Sequence, residues 1–163
     1  MKKFLKTEYL AFMTPIIAAL IFGYFFGHPP VKGNLYYVKR VVDGDTIELA
    51  TGATVRLIGI NTPETVKPNS PVECFGPESS EFSKKLMQRK YVRLESDKDN
   101  MDQYGRILRY VYLDDQMVNM ELVREGFAKA YYFSPNNKYK TEFDLAQTEA
   151  QSTDKGLWGK CTK

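Results

Sequence analysis

Residues 35–60 leave the chain little freedom in how it folds. Three strand-like runs, 35–42, 45–50 and 54–60, are separated only by the turn signals Asp43-Gly44 and Thr51-Gly52 and their neighbours, and such short connections join antiparallel strands. A meander is the consequence. The period then changes: in 77–88, Phe82, Leu86 and Met87 recur at helical spacing behind a proline in the first turn. Runs 91–95 and 106–113 alternate as strands, 117–125 reads as a helix ended by Gly126, and a third helix is expected over about 138–152. Five strands with helices after the third and fifth describe an α+β domain, a five-stranded Greek-key barrel of the OB type with three helices. That fold alone specifies no activity.

A chain of 163 residues has room for one such domain and a short extra segment. The extra segment is N-terminal. Lys2, Lys3 and Lys6 precede an uncharged run, 9–27, long enough to cross a bilayer as a hydrophobic helix, and the lysines are expected to stay in the cytoplasm. Residues 1–8 then form a short cytoplasmic N-terminus, 9–27 a transmembrane signal anchor, 28–34 a linker, and 35–163 a domain outside the cell membrane. A signal peptide, cleaved to secrete the domain, has the same order of charges, although Phe25-Phe26-Gly27-His28 offers no clear cleavage site; a buried helix is the third reading.

The formal charge of +3 is a weak guide to partners. Lys2, Lys3, Lys6, Lys32 and Glu8 all precede the domain, and without them bases and acids balance. Phosphate binding must therefore rest on a few cations focused in one cleft. The single histidine, His28, lies in the linker, so His-dependent triads and His-based zinc sites are excluded from the domain. Carboxylates, arginines and a hard metal remain.

Three stretches carry such groups. Asp43-Gly44-Asp45-Thr46 sets two carboxylates around a turn, which suits oxygen ligation of Ca²⁺ but is also an ordinary hairpin turn. Arg56 lies in the next strand, with Asn61-Thr62-Pro63-Glu64-Thr65 just beyond it. Asp102-Gln103-Tyr104-Gly105-Arg106 leads from a turn into a strand and presents a second arginine. Each stretch alone has a bland reading as a turn, a structural ion pair or a solvated acid. Together they supply what phosphoryl chemistry needs: forked guanidiniums, a hard-ligand cluster and a free carboxylate.

With these motifs the sequence resembles the staphylococcal nuclease family. The matching strings are Val42-Asp43-Gly44-Asp45-Thr46, Arg56-Leu57-Ile58-Gly59-Ile60-Asn61-Thr62-Pro63-Glu64-Thr65, Phe75-Gly76-Pro77-Glu78 and Asp102-Gln103-Tyr104-Gly105-Arg106, continued by Met117-Val118-Asn119 and Pro135-Asn136-Asn137. The resemblance implies calcium-dependent hydrolysis of DNA and RNA to products ending in 3′-phosphate. It implies Asp45, Asn61 and the Thr62 carbonyl as calcium ligands, with Asp43 behind them. Glu64 is implied as general base or water-orienting group, Arg56 and Arg106 as the phosphate clamp, and Tyr131 as a wall of the nucleotide pocket.

The chain also departs from the family pattern. Asn61 stands where the family usually has an aspartate, which removes one negative charge from the metal site, and Phe133 replaces a second pocket tyrosine. Loop 66–73 carries only Lys67 as a base. These departures motivate the alternative of a non-catalytic nucleic-acid or protein-binding OB module tethered to the membrane, against which a binder has no need of a free carboxylate beside bound phosphate. No protein partner is expected. Cys74 and Cys161 cannot make a zinc site by themselves, and outside the cell they are expected to pair, two buried free thiols being the other reading. Among Tyr131, Tyr132 and Phe133, alternation along the chain turns at least one ring inward, and Trp158 is expected in the core.

Overall fold

The computed structural model of the chain describes residues 33–65 and 71–161, all within the compact unit Gly33–Lys163. The expected hydrophobic helix at 9–27, with its flanks, falls outside the described residues, as does Lys67. Among the described residues no helix is long and apolar enough to cross a membrane.

Strand β1 (Leu35–Asp43) belongs to two ladders. Its first residues pair antiparallel with β5 (Tyr91–Glu95), and Val38 to Asp43 pair antiparallel with β2 (Thr46–Leu49). Register shifts between Val38 and Arg40 and between Val41 and Asp43 bend the strand from one ladder into the other. β2 continues antiparallel to β3 (Thr54–Leu57), and β5 to β6 (Ile107–Leu113). A parallel pairing then sets Val55 opposite Ile107 and Leu57 opposite Arg109, which joins β3 to β6 and closes a five-stranded barrel. Val38, Ile47, Val55, Leu57, Val92 and Val111 fill its interior, each fully buried. Each such side chain contributes roughly 1.5–3 kcal/mol over exposure.

Helix α1 (Gly76–Met87) carries Pro77 in its first turn, buries Met87 and packs Phe82 and Leu86 against the core, and its small residues add polar contacts. Ser79 Oγ donates to the Phe127 carbonyl at 2.7 Å, and Ser83 Oγ donates to the Gly44 carbonyl, so the helix grips the first β-turn directly. Helix α2 (Val118–Arg124) buries Val118, Asn119, Leu122 and Val123. It ends at Gly126 (φ 72°), behind which the Phe127 N–H returns to the Leu122 carbonyl. Helix α3 (Lys140–Ser152) buries Phe143, Ala146 and Ala150 along one stripe.

The barrel closure has an internal clamp. Asn119, fully buried, accepts the Val111 N–H at 2.8 Å and donates to the carbonyls of Ile58 at 2.9 Å and Arg109 at 3.4 Å. One side chain thus joins α2 to both sides of the parallel seam.

Several boundaries differ from the sequence reading, two of them because a side chain takes the backbone group a ladder or helix would have used. The run 54–60 breaks at Ile58-Gly59, and Ile60–Asn61 forms a separate short strand, β4, paired with β8 (Lys129–Ala130). Asp45 lies in the turn before β2, and Arg106 precedes β6 because its N–H donates to Asp102 Oδ1 at 3.0 Å. Helix α3 starts two residues later than 138, since the Lys138 N–H donates to Asp97 Oδ2 at 3.0 Å. A short strand, β7 (Gln116–Met117), follows β6, and a one-turn helix, α4 (Leu157–Lys160), makes a fourth helix among the described residues. Trp158, on α4, is half-buried under Lys129 rather than a core residue.

Candidate active site

The turn between β1 and β2 buries two acids side by side. Asp43 Oδ1 accepts the Gly44 N–H at 2.8 Å and the Thr65 hydroxyl at 2.6 Å. Asp45 Oδ2 accepts the Thr62 N–H at 3.0 Å, and its Oδ1 accepts the Thr46 hydroxyl at 3.1 Å. Residues 62–65 are therefore laced onto this turn. Glu64 comes with them: its carboxylate accepts the Thr65 N–H at 3.1 Å and lies beside Asp43. Burial pushes the Asp43 carboxyl above its ordinary range, Thr65 and Gly44 pull it down, and the neighbouring Glu64 and Asp45 add to the rise.

Arg56 on β3 holds the other side of the turn. Its Nη1 lies 2.7 Å from Asp45 Oδ2 and donates to the Leu57 carbonyl at 3.0 Å, while Nη2 donates to the Ile60 carbonyl at 3.2 Å and to Asn61 Oδ1 at 3.0 Å. The Arg56 side chain is only 12% exposed, and burial lowers its pKa from the ordinary value against the opposing pull of Asp45, with Arg106 adding to the depression. A guanidinium stays charged throughout. The bonds fix Asp45 and Asn61 about one cation.

Arg106 is oriented locally. Its Nε donates to Asp102 Oδ2 at 2.6 Å, while Asp102 Oδ1 accepts the N–H groups of Tyr104 at 2.9 Å and Arg106 at 3.0 Å. Burial alone would raise the Asp102 carboxyl, but these bonds outweigh it and hold the group below its ordinary range.

Both arginines line one cavity of about 430 Å³, together with Tyr104, Tyr131, Phe133 and Met101. A drug-sized or nucleotide-sized ligand fits such a volume. The Tyr131 and Phe133 rings meet edge to face at 4.9 Å and both are exposed, whereas Tyr132 turns away and donates to Asp144 at 2.8 Å. That is the alternation expected of the three adjacent aromatics. Buried Asn136 holds the cavity loops together, accepting the Asp99 N–H at 2.8 Å and donating to the Asp99 carbonyl at 3.4 Å.

A metal ion can be tested against these donors. Among the described residues no three Asp, Glu, His or Cys side chains form a ready cage. The expected set asks for less: the Asp45 carboxylate, the Asn61 amide oxygen, the Thr62 carbonyl and water. All are hard oxygen donors, which suits calcium and not zinc. Two features accord with a cation nearby: the buried Thr62 Oγ1 has no hydrogen-bond partner, and Asp43, Asp45 and Glu64 crowd like charges. The residues fit.

The structure thus brings Asp43, Asp45, Asn61, Thr62 and Glu64 into one connected network around Arg56, and sets Arg56 and Arg106 with Tyr131 and Phe133 on the adjoining cavity. Cys74 and Cys161 form a disulfide, with Cα atoms 5.9 Å apart. The sequence reading missed Tyr104 as a cavity wall, Asp102 as the partner of Arg106, Thr65 as the donor to Asp43, and Asn136 as the loop clamp. Of these, only Asp102 carried a signal, its spacing of four residues before Arg106.

Barrel, paired arginines and clustered acids define an OB-fold domain with an acidic, arginine-bound site beside an aromatic cavity. The chain belongs to the staphylococcal nuclease homologue family, whose model matches residues 54–160. Among its relatives, the Thermonuclease of Staphylococcus intermedius is 46% identical over 152 residues, covering 87% of this chain and 90% of that protein. The Thermonuclease of Staphylococcus hyicus is 46% identical over 126 residues, 76% of this chain and 75% of its own. Endonuclease YncB of Bacillus subtilis is 43% identical over 128 residues, 76% of this chain and 61% of that protein.

Proposed function

We propose that the chain is a calcium-dependent endonuclease, a phosphodiesterase that hydrolyses DNA and RNA to products ending in 3′-phosphate. The observation that carries the reading is the shared cavity of Arg56, Arg106, Tyr131 and Phe133 beside the network of Asp43, Asp45 and Glu64. The names of its relatives, thermonuclease and endonuclease, support it.

In this reading the scissile phosphate lies between the two guanidiniums, which bind its oxygens more tightly as charge builds in the transition state. Asp102 keeps the Arg106 fork aimed, and Arg56 keeps its own position through Asp45 and Asn61. Glu64 takes a proton from the attacking water as the water oxygen bonds to phosphorus. The bond from phosphorus to the 5′ oxygen breaks, that oxygen takes a proton from solvent and leaves as a hydroxyl, and the phosphate stays on the 3′ side. Tyr131 and Phe133 stack on bases, which favours no particular sequence. Asp45, Asn61 and the Thr62 carbonyl would hold Ca²⁺, which when bound draws charge from the phosphate. Segment 9–27 would hold the domain outside the cytoplasmic membrane, where calcium and nucleic acid are both met.

Incubation of the full chain with end-labelled single-stranded DNA, in Ca²⁺ or in chelator, tests the reading. Cleavage in calcium alone, with 3′ ends that a phosphatase can trim, is expected. Products bearing 5′-phosphate would contradict the proposed bond cleavage, and binding without cleavage would support the non-catalytic module.

A further inference from the structure

Glu64 is held by a second stretch of chain besides its own loop. Its N–H donates to Glu73 Oε2 at 3.1 Å, and its carbonyl accepts the Glu73 N–H at 2.9 Å, so Glu73 satisfies both backbone groups of Glu64. Glu73 is in turn fixed from behind. Its carbonyl accepts the Gly76 N–H at 3.0 Å at the start of α1, and its neighbour Cys74 is bonded to Cys161, 87 residues further on. Between them Phe75 adopts φ 68°, and Gly76 approaches the Glu64 segment so closely that a Cβ there would lie 2.8 Å from Thr65 Cγ2 and 3.0 Å from the Glu64 carbonyl oxygen. Residues 73–76 form a brace pressed against Glu64.

Residues 71–74 are exposed, and the brace is held by these bonds and by the Phe75 ring, which stacks on Phe127 at 5.3 Å. An exposed carboxylate making one hydrogen bond adds little to global stability. It does fix the backbone from which the Glu64 side chain projects, and a catalytic group displaced by about 1 Å can lose up to a hundredfold in rate.

We propose that Glu73 is a positioning residue for Glu64, and that the Cys74–Cys161 disulfide anchors it; the inference rests on the reading of Glu64 as general base. The test uses the full, oxidised chain with calcium and single-stranded DNA. Glu73→Ala is expected to lower kcat roughly tenfold with KM changed less than about twofold, since geometry at the base is lost and substrate binding is not. Glu73→Gln, which keeps an acceptor for the Glu64 N–H, is expected to recover most of that rate. Replacing both cysteines by serine should lower kcat in the parent and add little in the Glu73→Ala background, because both changes release the same brace. Parental kcat in Glu73→Ala, or Glu73→Gln no better than Glu73→Ala, overturns the proposal. If the cysteine variant fails to fold, the two Glu73 variants decide alone. A fully active Glu64→Gln would remove the reading beneath the proposal, whereas an inactive Glu64→Gln beside a fully active Glu73→Ala would remove the proposal only.

Discussion

Arg56 and Arg106 reach the same cavity with different commitments. Arg56 is tied into the turn through Asp45 and Asn61, while Arg106 depends on Asp102 for its aim. Arg106→Lys keeps the charge but loses the planar fork, and its turnover is expected to fall on the order of a hundredfold, the scale of losing one transition-state donor. Full activity in that variant, measured with calcium saturating, would contradict the clamp. Asn61 tests the metal assignment, because its amide offers an oxygen without a charge. Asn61→Asp is expected to lower the calcium giving half-maximal activity, and superimposable calcium titrations would remove Asn61 as a ligand. At this scale the sequence showed the acids and arginines, because short motifs carry them. It did not show the groups that hold them in place: Asn136 meets Asp99 from 37 residues away, and Thr65 meets Asp43 from 22.

The elements were legible wherever one face of a strand or helix repeats its pattern. β1, β5 and α3 follow their alternating or helical stripes to within two residues. The reading failed where polar side chains capture backbone groups, as Asp102 does before β6 and Asp97 before α3. It placed α1 from Phe82, Leu86 and Met87, which pack as expected, but not its buried Ser79 and Ser83, which carry no hydrophobic signal yet bind the chain to Phe127 and Gly44. Asn119 is the sharpest case. Asn119→Leu would leave the Val111 N–H and the Ile58 carbonyl unpaired at the seam between β3 and β6. The expected loss is about 2–6 kcal/mol in urea denaturation, from two buried groups at about 1–3 kcal/mol each. A loss below about 1 kcal/mol would mean that the seam closes without the clamp.

For the whole molecule, the disulfide joins the segment before α1 to the residue after α4 and so closes a loop that holds β5 and β6 of the barrel and the helices α1 to α4. Reduction is expected to cost on the order of 4 kcal/mol in the chain-entropy account, read as a lower urea midpoint. An unchanged midpoint would remove that role. The pairing suits an oxidising compartment, and the proposed topology is checked by adding protease to intact cells: the domain should be digested, and its protection would contradict an external location. The proposed chemistry turns on Glu64. Glu64→Gln and the parent chain, each shown folded by circular dichroism, are assayed on single-stranded DNA at saturating Ca²⁺. The variant's kcat is expected to fall by roughly a hundredfold or more, the usual scale of general-base catalysis. Equal turnover in the two proteins would contradict it.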